Sequence, residues 1–109
     1  MITPEQIATA YDAFLKADEA QFQAEETRIE KAIIREEKMM AAINEAIADG
    51  VTDPGRQQQK ANRATREELT ALRLAEKESR KAQHAVRQAG IVVDSLNKQA
   101  EAEKLALQK

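Results

Sequence analysis

Asp49-Gly50-Val51-Thr52-Asp53-Pro54-Gly55 is the one stretch in this chain where a helix must stop and another can start. Gly50 can take the left-handed backbone that follows a helix end at no steric cost. Asp53 suits a helix cap, and Pro54 suits the first helical position, where the missing N–H would have no partner anyway. Residues 49–53 therefore form a turn short enough to join two antiparallel helices. Upstream, Thr3-Pro4-Glu5-Gln6 has the form of a capping box, and nothing breaks the helix from residue 4 to residue 48. Downstream, a second helix is predicted over 54–107, with its weakest point near 90, where Gly90 precedes the β-branched run Ile91-Val92-Val93. Any kink in the second helix is placed there.

The two arms differ in charge. Residues 1–49 hold eleven acidic and five basic residues, a net of −6, whereas residues 56–87 hold nine basic and four acidic, a net of +5. Both arms are dominated by the strong helix formers Ala, Glu, Lys, Gln and Arg. Of the 109 residues, 21 are alanine, and Ile, Leu, Val and Phe together also number 21, so the core must be thin. High helix propensity with little large apolar surface indicates elongated helices that need a neighbour. The fold class expected is all-α, a long antiparallel helical hairpin of coiled-coil type over residues 1–109, completed to a bundle by self-association.

Apolar side chains in the first arm recur at Ile7, Tyr11, Phe14, Leu15, Phe22, Ile29, Ile33, Met40, Ile43 and Ile47, in steps that read as one helix face. The second arm presents smaller residues, among them Ala61, Ala64, Leu72, Ala75, Ala82, Val86, Ala89, Val93 and Leu96. Folding about the turn should pair residues whose numbers total about 103. That register sets Glu37 against Arg66, Glu30 against Arg73 and Glu26 against Lys77, and brings Phe14 near Val86 and Ile7 near Leu96. Exposed ion pairs are worth only about 0–1 kcal/mol each, so such charges select register more than they stabilise it.

Near the turn the register leaves Met39, Met40, Ile43 and Ile47 opposite a stretch whose only apolar residues are Ala61 and Ala64. The same stretch carries Arg56, Lys60, Arg63 and Arg66 and no acidic residue through position 66. Cations in the first turns of a helix oppose its dipole, so helix energetics do not account for them. Pairing with Glu37, Glu45 and Asp49 is the plain explanation, and a patch for phosphates or an acidic protein is the functional one. These eight residues are the candidate partner-binding site. Two helices alone bury little surface, so a twofold dimer forming a four-helix bundle, or a dedicated protein partner, is expected to cover it.

Chemistry-bearing patterns are missing. Without cysteine there are no disulfides or thiolate metal sites. His84 stands alone between Arg80, Lys81 and Arg87, the serines are Ser79 and Ser95, and three glycines build no phosphate loop. Glu-x-x-His pairs, which a di-metal helical bundle needs, do not occur. No catalytic, cofactor-binding or metal site, no cofactor and no small-molecule substrate are expected, and the protein is not expected to be an enzyme. The first residues show no signal peptide and no apolar run is long enough to span a membrane, so a soluble, cytoplasmic protein is expected. In outline and composition the chain resembles helical-hairpin stalks, rods and small chaperones of bacterial secretion machines and phage assembly proteins. The expected function is a non-enzymatic protein–protein interaction or assembly role; nucleic-acid binding through the basic face of residues 56–66 is the alternative, disfavoured by a pI near 5.5.

Overall fold

The computed structural model describes residues 1–108, and they are all-α: α1 (Pro4–Ala48), α2 (Pro54–Ala64) and α3 (Arg66–Leu107). No strand occurs among the described residues. The chain forms two compact units, one of Met1–Ala24 with Ser79–Lys109 (the terminal unit) and one of Glu25–Glu78 (the turn unit). The turn unit is an antiparallel hairpin, and in the terminal unit the start of α1 runs antiparallel to the end of α3.

Local sequence fixes the helix ends. Thr3 and Gln6 close the capping box reciprocally: the Thr3 N–H donates to Gln6 Oε1 at 2.8 Å, and the Gln6 N–H to Thr3 Oγ1 at 3.2 Å. At the other end of α1, Gly50 has φ of 87°. Its N–H bonds the Ile47 carbonyl and the Val51 N–H bonds the Ala46 carbonyl, both at 3.0 Å, which is the Schellman arrangement. Asp53 stands at the cap position of α2 with an extended backbone, but its side chain makes no capping bond. The turn is held instead by Gln57, whose Nε2 donates to the Val51 carbonyl at 2.8 Å.

The interruption in the second arm lies at Thr65, and Gly90 is inside the continuous α3. The Thr65 N–H and hydroxyl both donate to the Ala61 carbonyl, at 3.0 and 2.8 Å, a doubling that bends helices. At Thr65 φ is −111° and ψ is 24°, and α3 resumes with the Leu69 N–H on the Thr65 carbonyl. Gly90 is occupied differently: a Cβ there would meet the Phe14 ring at 3.7 Å, so the glycine lets α1 approach.

The seam between the helices is built from small residues. The buried side chains are Ala10 and Val93 with Ser79 in the terminal unit, and Ala46, Ala61, Thr65 and Ala75 in the turn unit. Only Val93 among them is large. Along α3 of the terminal unit the inward positions Ser79, Ala82, Val86, Ala89, Val93 and Leu96 step by three and four, and Ile7, Ala10, Phe14, Ala17 and Gln21 answer them on α1. That alternation averages 3.5 residues per repeat, the spacing of a coiled-coil seam.

The large apolar face expected on α1 is therefore divided. Ile7, Phe14 and Ile43 are half-buried, but Tyr11, Leu15, Phe22, Ile29, Ile33, Met40 and Ile47 are exposed. Alanines spaced at seven residues allow close backbone approach, so the seam takes the small side chains and the large ones turn out to solvent. The register itself is close to expectation. Phe14 meets Gly90, the Ile2 N–H meets Glu103 and Lys38 meets Glu68, pairs whose numbers total 104 to 106. The ion pairs Glu37–Arg66, Glu30–Arg73 and Glu26–Lys77 do not form among the described residues, because those glutamates lie on the side of α1 away from the seam.

Candidate functional site

In the turn unit, charge on α1 is sorted by side. Its four cations, Arg28, Lys31, Arg35 and Lys38, step by three, four and three along the seam. They meet the acidic residues of the otherwise basic second arm. Lys38 Nζ donates to Glu68 Oε1 at 2.6 Å, and Lys31, Ile34 and Lys38 share a groove with Glu67, Glu68 and Ala71. The hydrogen bond to Glu68, reinforced by the charges of Glu68 and Glu67, raises the Lys38 pKa. The same bond, together with a backbone hydrogen bond, lowers that of Glu68. Arg28 is held by Glu25 on its own helix and also feels Glu76 across the seam, both of which raise its pKa.

This pattern inverts the arm-to-arm attraction suggested by net charge. In the turn unit the cations of α1 and the second arm's Glu68 and Glu76 lie toward the seam, while Glu26, Glu30, Glu36 and Glu37 of α1 face solvent. The inward set is incompletely satisfied, since Arg35 Nε and Glu68 Oε2 are buried without a hydrogen-bond partner. A partly exposed pair such as Lys38–Glu68 adds little net stability.

The outer side of α1 in the turn unit carries Ile29, Ile33, Met40 and Ile47, between 45% and 60% exposed. Their steps of four, seven and seven place them on one line. At 3.6 residues per turn, Glu26, Glu30 and Glu37 fall along one border of this line and Glu36 along the other. All four glutamates are exposed, and no cation of this part of α1 lies on that side. Glu26, Ile29, Glu30, Ile33 and Ile34 line an open hollow there.

The eight expected partner-binding residues do not share one face. Met40 and Ile47 belong to the outer line, while Met39 and Ile43 are half-buried nearer the seam. Arg56, Lys60, Arg63 and Arg66 are exposed, and no ion pair engages them among the described residues. Lys60 and Arg63 border a groove with Ala42, Glu45, Ala46 and Asp49, beside the carboxylates they were expected to pair with but outside ion-pair distance. Sequence reading missed Ile29 and Ile33 as surface residues, having assigned them to the seam. The signal was present in the heptad spacing of alanine and in the cations at 28, 31, 35 and 38, which share the inward side.

Comparison with protein-family models, with curated proteins and with solved structures finds no match to this chain. Among the described residues no group of three or more His, Cys, Asp or Glu is placed to hold a metal ion. No helix among them is long and apolar enough to cross a membrane. In the terminal unit, Tyr11, Phe14, Val86, Gly90, Ile91 and Val93 line an open apolar groove of about 610 Å³, with Arg87 and Asp94 at its edge.

Proposed function

We propose that this is a non-enzymatic interaction protein, of the adaptor, chaperone or assembly kind, that acts by burying the outer side of α1 against a protein surface. One observation carries the reading: Ile29, Ile33, Met40 and Ile47 are about half exposed while alanine fills the seam. Full burial of such a side chain is worth about 1.5–3 kcal/mol, so covering the exposed half of each gains roughly 1 kcal/mol. Leaving four in a row outside forgoes that stability unless something covers them. A twofold dimer is one arrangement that would cover the face, and light scattering of the purified chain measures it.

A photo-crosslinking residue at position 40 tests the reading in cells, with position 77 on the basic side of α3 as control. Protein adducts at 40 and few at 77 are expected. If position 40 gives no adduct, the face is not an interface.

A second reading has its own observation, the four exposed cations Arg56, Lys60, Arg63 and Arg66 without ion-pair partners. They would suit phosphates of a nucleic acid. Binding of a mixed-sequence oligonucleotide that weakens steeply with salt and disappears in Arg63→Glu/Arg66→Glu supports it; no binding at low salt removes it.

A further inference from the structure

We propose that the outer line of α1 in the turn unit docks a helix of another protein, one whose apolar stripe is bordered by lysine and arginine. This rests on the interaction reading above and names its partner by chemistry. From Ile29 to Ile47 the line runs about 27 Å at 1.5 Å per residue, a length matched by about five turns of a second helix. Steps of four and seven are the spacing at which one helix receives the side chains of another.

The borders select the occupant. Glu26, Glu30, Glu36 and Glu37 edge the line, and Arg28, Lys31, Arg35 and Lys38 are all turned to the seam. A second copy presenting the same face would set glutamates against glutamates with no cation to relieve them, in either orientation. A second copy presenting the α2–α3 side of its turn unit would supply cations but not a stripe: among the described residues of that unit Leu74 is the one exposed large apolar side chain there. Phosphate-bearing surfaces are repelled by the same glutamates. A helix with apolar residues at seam positions and Lys or Arg beside them satisfies both the line and its borders, and such rim charges set partner choice and orientation.

Two labelled helical peptides with one leucine seam, bordered by lysine in one and by glutamate in the other, are titrated against the full chain by fluorescence anisotropy. The lysine-bordered peptide is expected to bind about tenfold tighter or better, with the difference shrinking at high salt. Ile33→Asp should weaken it about tenfold or more, and Glu26→Lys/Glu30→Lys/Glu37→Lys should reverse the preference, with circular dichroism melts showing each variant folded. Equal affinity for the two peptides, or preference for the glutamate-bordered one, overturns the proposal. A wild-type dimer in sedimentation that Ile33→Asp dissolves also overturns it, in favour of a second copy. Crosslinks at position 40 without lysine-peptide binding would remove this partner chemistry and leave the interaction reading standing. Loss of both would remove both.

Discussion

Gly50 and Gly90 show how one residue type does opposite work at two positions. Gly50 has φ of 87°, where a Cβ costs about 1–2 kcal/mol through clash with the backbone, although nothing else lies within 4 Å of it. Gly50→Ala should therefore lower stability by about 1 kcal/mol, read as a lower midpoint in urea denaturation. Gly90 is helical, and an added Cβ would make ordinary contact with the Phe14 ring at 3.7 Å. Gly90→Ala should raise stability by about 0.5–1 kcal/mol, since alanine loses less backbone entropy in a helix; a lower melting temperature would mean that Phe14 cannot accommodate the methyl group. The helix stop at Gly50 was legible in the sequence because its cause is local. The break at Thr65 was not, because a threonine in a run of helix formers bends the chain only once it is buried and its hydroxyl has turned back to Ala61.

At the scale of the helices, the seam and the outer line invert the usual expectation for substitutions. Ala61 is fully buried, so Ala61→Leu should force the helices of the turn unit apart and cost about 1–3 kcal/mol by overpacking. Ile33→Asp, although it replaces a large apolar residue by a charge, should change the stability of the isolated chain by no more than about 0.5 kcal/mol, because Ile33 is already half in water. Thermal melts of the two variants side by side check both. The Lys38–Glu68 pair adds a pH dependence. The folded-state pKa of Glu68 is lowered, so its contribution is present above the unfolded carboxylate value and lost as pH falls through the folded one. That of Lys38 is raised, so its contribution is full below the unfolded lysine value and lost as pH climbs through the folded one. Glu68→Gln should flatten both ends of the stability profile in a series of denaturation curves from acid to alkaline pH. Apolar periodicity by itself found a helix face on α1 that the structure divides: Ile7, Phe14 and Ile43 are half-buried, whereas Ile29, Ile33, Met40 and Ile47 turn outward. The face was read as one because size of side chain was taken as the sign of burial.

Over the whole molecule, the sorting of charge matters more than its total. A net charge of −2 conceals an α1 whose outer side in the turn unit is apolar and acidic, and a second arm whose cations at 56, 60, 63 and 66 are exposed. If covering the outer line of α1 is what the protein does, its stability and its association should be separable. Met40→Asp should leave the circular dichroism spectrum and melt of the free chain unchanged while abolishing adducts formed from a crosslinker at position 33. Loss of fold together with loss of adducts would place Met40 in the core instead.

The sequence by itself determined the helical character of both arms, the turn at 49–53, the capping box at Thr3 and Gln6, and a pairing register within a few residues. These depend on backbone conformation and on order along the chain, which composition and spacing report directly. Only the tertiary structure decided which side of α1 faces its neighbour. Two helices can meet through large residues at a wider separation or through alanine at a closer one, and both patterns were written on α1. Close packing around Ala46, Ala61 and Ala75 selected the second, left Ile29, Ile33, Met40 and Ile47 to solvent, and so placed the candidate site on the opposite side of the helix from the seam.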